Sequence, residues 1–312
     1  MHGATISVII PTLDGGRRFA RLLASLQAQT VVPEELLVVD SGSEDGTPDL
    51  AGRYGATVLT ISPRDFDHGG TRTLAARRAS GDILLFMTQD AVPVDIHALE
   101  NLMEPFSDPR VAAVYGRQLP FPDATCFARH LRLFNYPENS ASRCWEDRHR
   151  FGFRTAFISN SFAAYRKEPL AAVGFFEEGL LFGEDTFTVA KLLRSGYCVF
   201  YAAAAKVWHS HNYSAWQEFR RYFDIGMVHA RHRELLRDFG TPAGEGRNYV
   251  FSEFSFLVRE KDFLRLPAGL WRNGMKFLAY NLGKRYTALP RRLAVLCSLN
   301  RRWWSGPAGK GT

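Results

Sequence analysis

Apolar residues in the first hundred positions fall alternately into short unbroken runs and into stripes spaced three and four apart. Ser7 to Ile10, Leu36 to Val39, Thr57 to Ile61 and Ile83 to Met87 have the length of strands. Unbroken runs such as Ile83–Met87 mark strands buried on both faces, as in a parallel sheet. Within 17–30, Phe19, Leu22, Leu23 and Leu26 recur at helical spacing and predict an amphipathic helix. Thr47 as N-cap with Pro48 at the first helical position opens a second helix that ends at Gly55. A third spans Thr71 to Ser80 and is closed by Gly81.

Strands and helices alternating through short connections predict an α/β fold with right-handed crossovers and helices on both faces of a sheet. In such a sheet Thr12, Asp40, His68 and Asp90 all follow the carboxyl ends of strands, where open α/β folds bind their ligands. Asp90 there either holds a metal on a diphosphate or caps a turn. Further on, 96–103 reads as a helix and Val111 to Tyr115 as a strand. Residues 118–157, with Tyr136 and Trp145, are aromatic, basic and weakly periodic: a substrate loop or lid, or a surface excursion packed by its rings. Gly183-Glu184-Asp185 opens a helix over 186–195. Acids there suit the helix dipole, and equally present a carboxylate base. The strand Val199 to Ala203 leads to Val207-Trp208-His209-Ser210-His211, where residues two apart share a face and both imidazoles can meet one ion.

Composition changes this picture little. The 312 residues are 46% hydrophobic and 23% charged, ordinary values for a folded chain with a sizeable core. Cys126, Cys144, Cys198 and Cys297 are scattered without a Cys-x-x-Cys pair, which predicts reduced thiols and no zinc site. A strand begins almost at once, leaving no room for a leader, and no apolar run reaches spanning length; the expected location is cytoplasmic.

Charge adds an asymmetry. The net +7 resides in the tail: 261–312 carries 11 Lys and Arg against one acid, and the preceding part is −3. From Ala215 the pattern turns helical, with a break over 240–246. Beyond it Leu270, Trp271, Gly274, Met275, Leu278 and Leu282 mark one side of a helix, and Arg272, Asn273 and Lys276 another. Arg291, Arg292, Arg301, Arg302, Trp303 and Trp304 follow. Basic residues with interfacial aromatics predict a peripheral helix on the inner face of the cell membrane, against an anionic surface; a helix packed on the main domain is the alternative. The acidic balance of the main domain argues against nucleic acid as partner.

Pro11-Thr12, the string from Asp40 to Thr47, Arg72, Asp90, Gly183-Glu184-Asp185 and a late His together resemble the inverting glycosyltransferases of family 2. The strings DFDHGGTR (Asp65 to Arg72), TQDA (Thr88 to Ala91) and HSHNYS (His209 to Ser214) look most like bacterial dTDP-rhamnosyltransferases. The resemblance covers about 5–230 and implies the GT-A fold, a Rossmann-like, mainly parallel sheet. With the helical tail, it suggests a catalytic domain over 1–212 and a basic helical region over 213–312. It implies that Thr12, Asp40 and Arg72 hold the nucleotide, with Thr88 and Gln89 beside it. Asp90 would bind Mn²⁺ or Mg²⁺ on the diphosphate with His209 or His211, and Asp185 would be the catalytic base. His68, Trp145 and Glu184 are candidates for contacts to donor or acceptor sugar.

Thr88 stands where the family usually has the first acid of its Asp-x-Asp motif. That acid commonly reaches ribose hydroxyls, and thymidine nucleotides lack the 2′-hydroxyl. Thr88 therefore fits dTDP-L-rhamnose as donor, with a glycan or lipid-linked acceptor in surface polysaccharide synthesis. A UDP-hexose transferase and a non-catalytic nucleotide-sugar-binding module are the alternatives.

Overall fold

The computed structural model describes residues 3–240 and 243–306. Strands β1 (Ile6–Thr12), β2 (Glu35–Asp40), β3 (Thr57–Thr60) and β4 (Ile83–Met87) are followed by the two-residue β5 (Val92–Pro93). Then come β6 (Val111–Leu119), β7 (Ala141–Arg143), β8 (Phe162–Arg166) and β9 (Cys198–Trp208). Helices α1 (Gly16–Gln27), α2 (Thr47–Arg53), α3 (His68–Arg78) and α4 (Ala98–Met103) connect the first strands. After them run α5 (Cys126–Asn135), α6 (Arg148–Phe151), α7 (Lys167–Ala172), α8 (Glu184–Arg194) and α9 (Ala215–Arg231). The chain closes with α10 (Arg233–Phe239), α11 (Ala243–Arg259), α12 (Leu266–Lys284) and α13 (Arg291–Cys297).

The sheet order is β3-β2-β1-β4-β8-β6-β9-β5, with β7 also on β9. Strands β3, β2, β1 and β4 are mutually parallel, as the apolar runs require. Chain order turns back across β1, so the switch point lies between the carboxyl ends of β1 and β4, beside Thr12 and Thr88. Pro11 is tolerated in β1 because pairing with β4 stops at Ile9, while β2 runs on to the Thr12–Asp40 pair. Beyond β4 the sheet becomes mixed: β8 runs antiparallel between β4 and β6, and β6 is parallel to β9. Side-chain alternation divides the core. Val8, Ile10, Leu85 and Met87 meet α1 and α4 on one face; Ile9, Leu84, Phe86 and Tyr165 meet α3, α8 and α9 on the other.

Three expectations change. Residues 118–157 are not irregular. Thr125 caps α5 through the Ala128 amide, and β7 joins the sheet edge. The four cysteines are not all free: Cys144 and Cys198 form a disulfide, their Cα atoms 4.3 Å apart. The pairing of Arg143 with Val199 sets their neighbours side by side, an adjacency that a separation of 54 residues conceals. The expected break over 240–246 falls partly on 241 and 242, which lie outside the described residues; from Ala243 the chain is helical.

The C-terminal helices share the core of the sheet. Phe219, Phe223 and Met227 of α9, Ala279 of α12 and Trp303 belong to the same cluster as Phe86 and Tyr165. Helices α9 and α12 cross almost backbone to backbone. A Cβ on Gly226 would lie 2.1 Å from the Tyr280 carbonyl oxygen, and one on Gly283 2.0 Å from that of Phe223.

Candidate active site

Asp90 follows β4 by three residues and reaches His209 through a two-strand device. Immediately beyond Asp90, β5 pairs antiparallel with the end of β9, Val92 against Trp208. The His209 amide then donates to the Leu119 carbonyl at the end of β6. Strand pairing thus carries the His-x-His segment to the acid. His209 Nε2 lies 3.4 Å from Asp90 Oδ1 and His211 Nε2 3.8 Å from Oδ2. One donor atom from each residue falls within 4.8 Å of the others.

The hydrogen-bond chain behind His209 fixes which nitrogen faces the acid. Arg132 Nη1 can only donate, and it donates to Gln118 Oε1 at 2.6 Å. The Gln118 amide nitrogen donates to Ser159 Oγ. The same Gln118 oxygen lies 2.8 Å from His209 Nδ1, so Nδ1 carries the proton and Nε2 is left bare toward Asp90. Burial lowers the pKa of both imidazoles, that of His211 to about 4, keeping them neutral. Burial, the largest influence on Asp90, would raise its pKa. Against it, the hydrogen bond and the charge that His209 and His211 offer when protonated lower the carboxyl's pKa on balance. A bare nitrogen facing a carboxylate in a half-buried site is a donor set that a divalent cation fits, and Gln118 is the kind of outer partner that orients such a ligand.

Asp185 stands at the start of α8. Its Oδ1 accepts from the Thr186 amide and its Oδ2 from the Asn160 amide. Burial first, and then the adjacent Glu184 charge, push its pKa up to about 7, the range of a general base. The ionised member of the pair is Glu184. Despite burial, Arg72 Nη1 at 2.9 Å, with smaller help from the Asn160 side chain, lowers its pKa.

Arg72, expected to hold the nucleotide, is thus buried against Glu184, and its Nη1 also donates to the His68 carbonyl. Burial lowers the pKa of His68, leaving it neutral beside this pair.

A turn that sequence reading missed joins the two centres. Ser159 meets Gln118 behind His209, and Asn160 holds Asp185 by its amide and Glu184 by its side chain. The Ser161 carbonyl accepts from the Thr88 amide at the end of β4. The only sequence signal is weak: the polar triplet precedes the short, alanine-rich Phe162-Ala163-Ala164-Tyr165 that forms β8.

The remaining expected residues have defined places. Asp40 is buried and spends its oxygens on Thr12 Oγ1, the Gly42 and Ser43 amides and the Ser43 hydroxyl, shaping the turn after β2. Gln89 clamps the Leu13 main chain through both ends of its amide. Thr88 Oγ1 is buried at the switch point, on the side of the Asp90 carboxylate. The Trp145 ring is covered by the Arg148 guanidinium at 4.4 Å and meets Phe239 edge-on. Those contacts are packing contacts and lend no support to a sugar-binding role.

Residues 7–174 match the family model described as glycosyl transferase family 2. The chain is 42% identical over 302 residues to the O-antigen chain rhamnosyltransferase RfbN of Salmonella typhimurium, covering 96% of each chain. It is 41% identical to the O-antigen chain rhamnosyltransferase WbaN of Salmonella anatum, again over 96% of each. Among solved structures it is similar in fold to the mannosyltransferase PcManGT of Pyrobaculum calidifontis in complex with GDP-Man and Mn²⁺. There the TM-score is 0.60 at 19% identity, over 98% of this chain and 89% of that one. A glucosyl-3-phosphoglycerate synthase of Mycobacterium tuberculosis, solved with Mn²⁺ and UDP, gives 0.51 at 19% identity, over 77% and 81%.

Proposed function

Starting from a chain that belongs to glycosyl transferase family 2, we propose that it moves L-rhamnose from dTDP-L-rhamnose to a lipid-linked glycan in O-antigen assembly. The reaction takes place at the inner face of the cell membrane, by one inverting displacement. The observation that carries this reading is the pairing of two centres through the Ser159–Ser161 turn: a cation-ready triad and a buried carboxylate with a raised pKa. The 42% identical rhamnosyltransferase supports the sugar, and Thr88, standing where the family usually has an acid that reaches ribose hydroxyls, supports a nucleotide without a 2′-hydroxyl.

Asp90, His209 and His211 would hold Mn²⁺ or Mg²⁺, imidazole ligation favouring Mn²⁺. When bound, the cation offsets the negative charge that gathers on the departing diphosphate. Asp185 accepts the proton of the acceptor hydroxyl as that oxygen bonds to the anomeric carbon. The bond from that carbon to the diphosphate breaks on the opposite side, and dTDP leaves. Glu184 stays ionised against Arg72 and holds the base's pKa up, so Asp185 takes a proton readily near neutrality. The nucleoside lies at the switch point, against Thr12, the turn shaped by Asp40, and Thr88.

Thermal shift with Mn²⁺ and dTDP-L-rhamnose, UDP-glucose or UDP-galactose tests the donor, because a ligand that binds only the folded chain raises its melting temperature. The largest rise is expected with dTDP-L-rhamnose. A larger rise with either UDP sugar overturns the donor assignment. Full biological activity in Asp185→Asn would favour the non-catalytic module.

A further inference from the structure

Helix α12 has two apolar sides. Inward, Ala279 with Met275 and Leu282, which the sequence placed on the side of Leu270 and Trp271, packs on the core of the sheet beside the polar Arg272, Asn273 and Lys276. Outward, Leu270, Trp271, Phe277 and Leu278 point to solvent at 63, 58, 74 and 49% exposure. The inward polar residues are all paired. Arg272 donates to Glu218 and to the Tyr213 carbonyl, Asn273 to Glu253, and Lys276 lies 3.6 Å from Glu218 and over the Tyr249 ring. Water selects a single apolar stripe, set against the core. The outward stripe is prolonged by Phe263 and by Leu264, which is 94% exposed, in the turn leading into the helix. A contiguous apolar strip of this kind marks a surface that another phase or molecule covers.

Charge selects the occupant. Exposed Arg259 and Lys261 precede the helix in the chain, and Lys284, Arg285, Arg291 and Arg292 follow its apolar strip. The acids at the first end, Glu260 and Asp262, are engaged with Arg129 and Arg265. A tryptophan and a phenylalanine between basic ends match an interface of acyl chains beneath anionic headgroups. We propose that the outward face of α12 lies in an anionic phospholipid surface, with Trp271 and Phe277 as its anchors. The inference rests on the lipid-linked acceptor proposed above and names the surface that brings enzyme and acceptor together. The same helix is tied to the site, because Arg272 holds Tyr213, two residues beyond His211. Docking of α12 therefore sets the height of the metal triad above the lipid.

Co-sedimentation of the full chain with vesicles of phosphatidylcholine, alone or mixed with phosphatidylglycerol, tests the proposal. Wild type is expected to pellet with the anionic vesicles and to be released by high salt. A Trp271→Ser, Phe277→Ser double variant is expected to lose about tenfold or more in vesicle affinity. Its melting temperature and its stabilisation by dTDP-L-rhamnose with Mn²⁺ should match wild type, which separates lost docking from lost folding. Equal vesicle binding by the variant, or no binding by wild type, overturns the proposal. So does a dimer, seen by light scattering, that the double substitution dissolves while vesicle binding is absent. If no nucleotide sugar stabilises wild type yet the vesicle results hold, the donor reading falls and the membrane face stands.

Discussion

Asp185 works under two influences that raise its pKa, burial and the Glu184 carboxylate, and its own two amide hydrogen bonds resist them. As the proposed base it must be ionised, so kcat/KM is expected to fall as pH drops below about 7. Asp185→Asn should cost about 10²–10⁴-fold in kcat while leaving donor binding intact, as read by thermal shift. Glu184→Gln removes the neighbouring charge and should move the acidic limb of the pH profile to lower pH. Because it leaves Arg72 buried without its partner, it should also cost about 3–5 kcal/mol of stability. An unmoved acidic limb in that variant would show that Asp185 is not the titrating group. Gln118→Leu keeps every ligand but frees the His209 ring. Calorimetry should show Mn²⁺ binding about 10–100-fold weaker. At this scale the sequence displayed Asp90, the histidines and the acidic pair, because each is a polar letter set against an apolar run. It concealed Gln118, Asn160 and Arg132, whose meaning is a set of partners far apart in the chain. Arg72 shows the same limit: its place in the string was legible, its ion pair with Glu184 was not.

Elements explain why these partners meet. Strands β1, β2 and β4 were readable because parallel strands buried on both faces leave unbroken apolar runs, and α1 because its apolar stripe keeps helical spacing. Strand β8 was not, since Phe-Ala-Ala-Tyr-Arg is too short and small-residue-rich to stand out. Yet β8 turns the sheet from parallel to mixed and brings Asn160 to Asp185. The disulfide was hidden for a related reason, its two cysteines being adjacent only through the β7–β9 ladder. The close crossing of α9 and α12 offers a test of packing. Gly283→Ala places a methyl group against the Phe223 carbonyl and should lower stability by about 1–3 kcal/mol in urea unfolding. No change would mean that the helices do not approach so closely.

For the whole molecule, charge asymmetry and helix polarity point the same way. The tail's basic residues could be counted in the sequence, but which way its helix faced could not. Either side of α12 can look inward, and the decision belongs to Glu218 and Glu253, acids on other helices. No helix among the described residues is long and apolar enough to cross a membrane, so a surface-lying helix is the form that membrane contact takes in this account. The central claim, a single displacement with Asp185 as base, is tested most directly by the stereochemistry of sugar release. With Mn²⁺ and no acceptor, slow transfer to water should release free rhamnose. NMR recorded before mutarotation then reports its first anomer. The account predicts the configuration opposite to that in dTDP-L-rhamnose; first release with the donor's own configuration would contradict it.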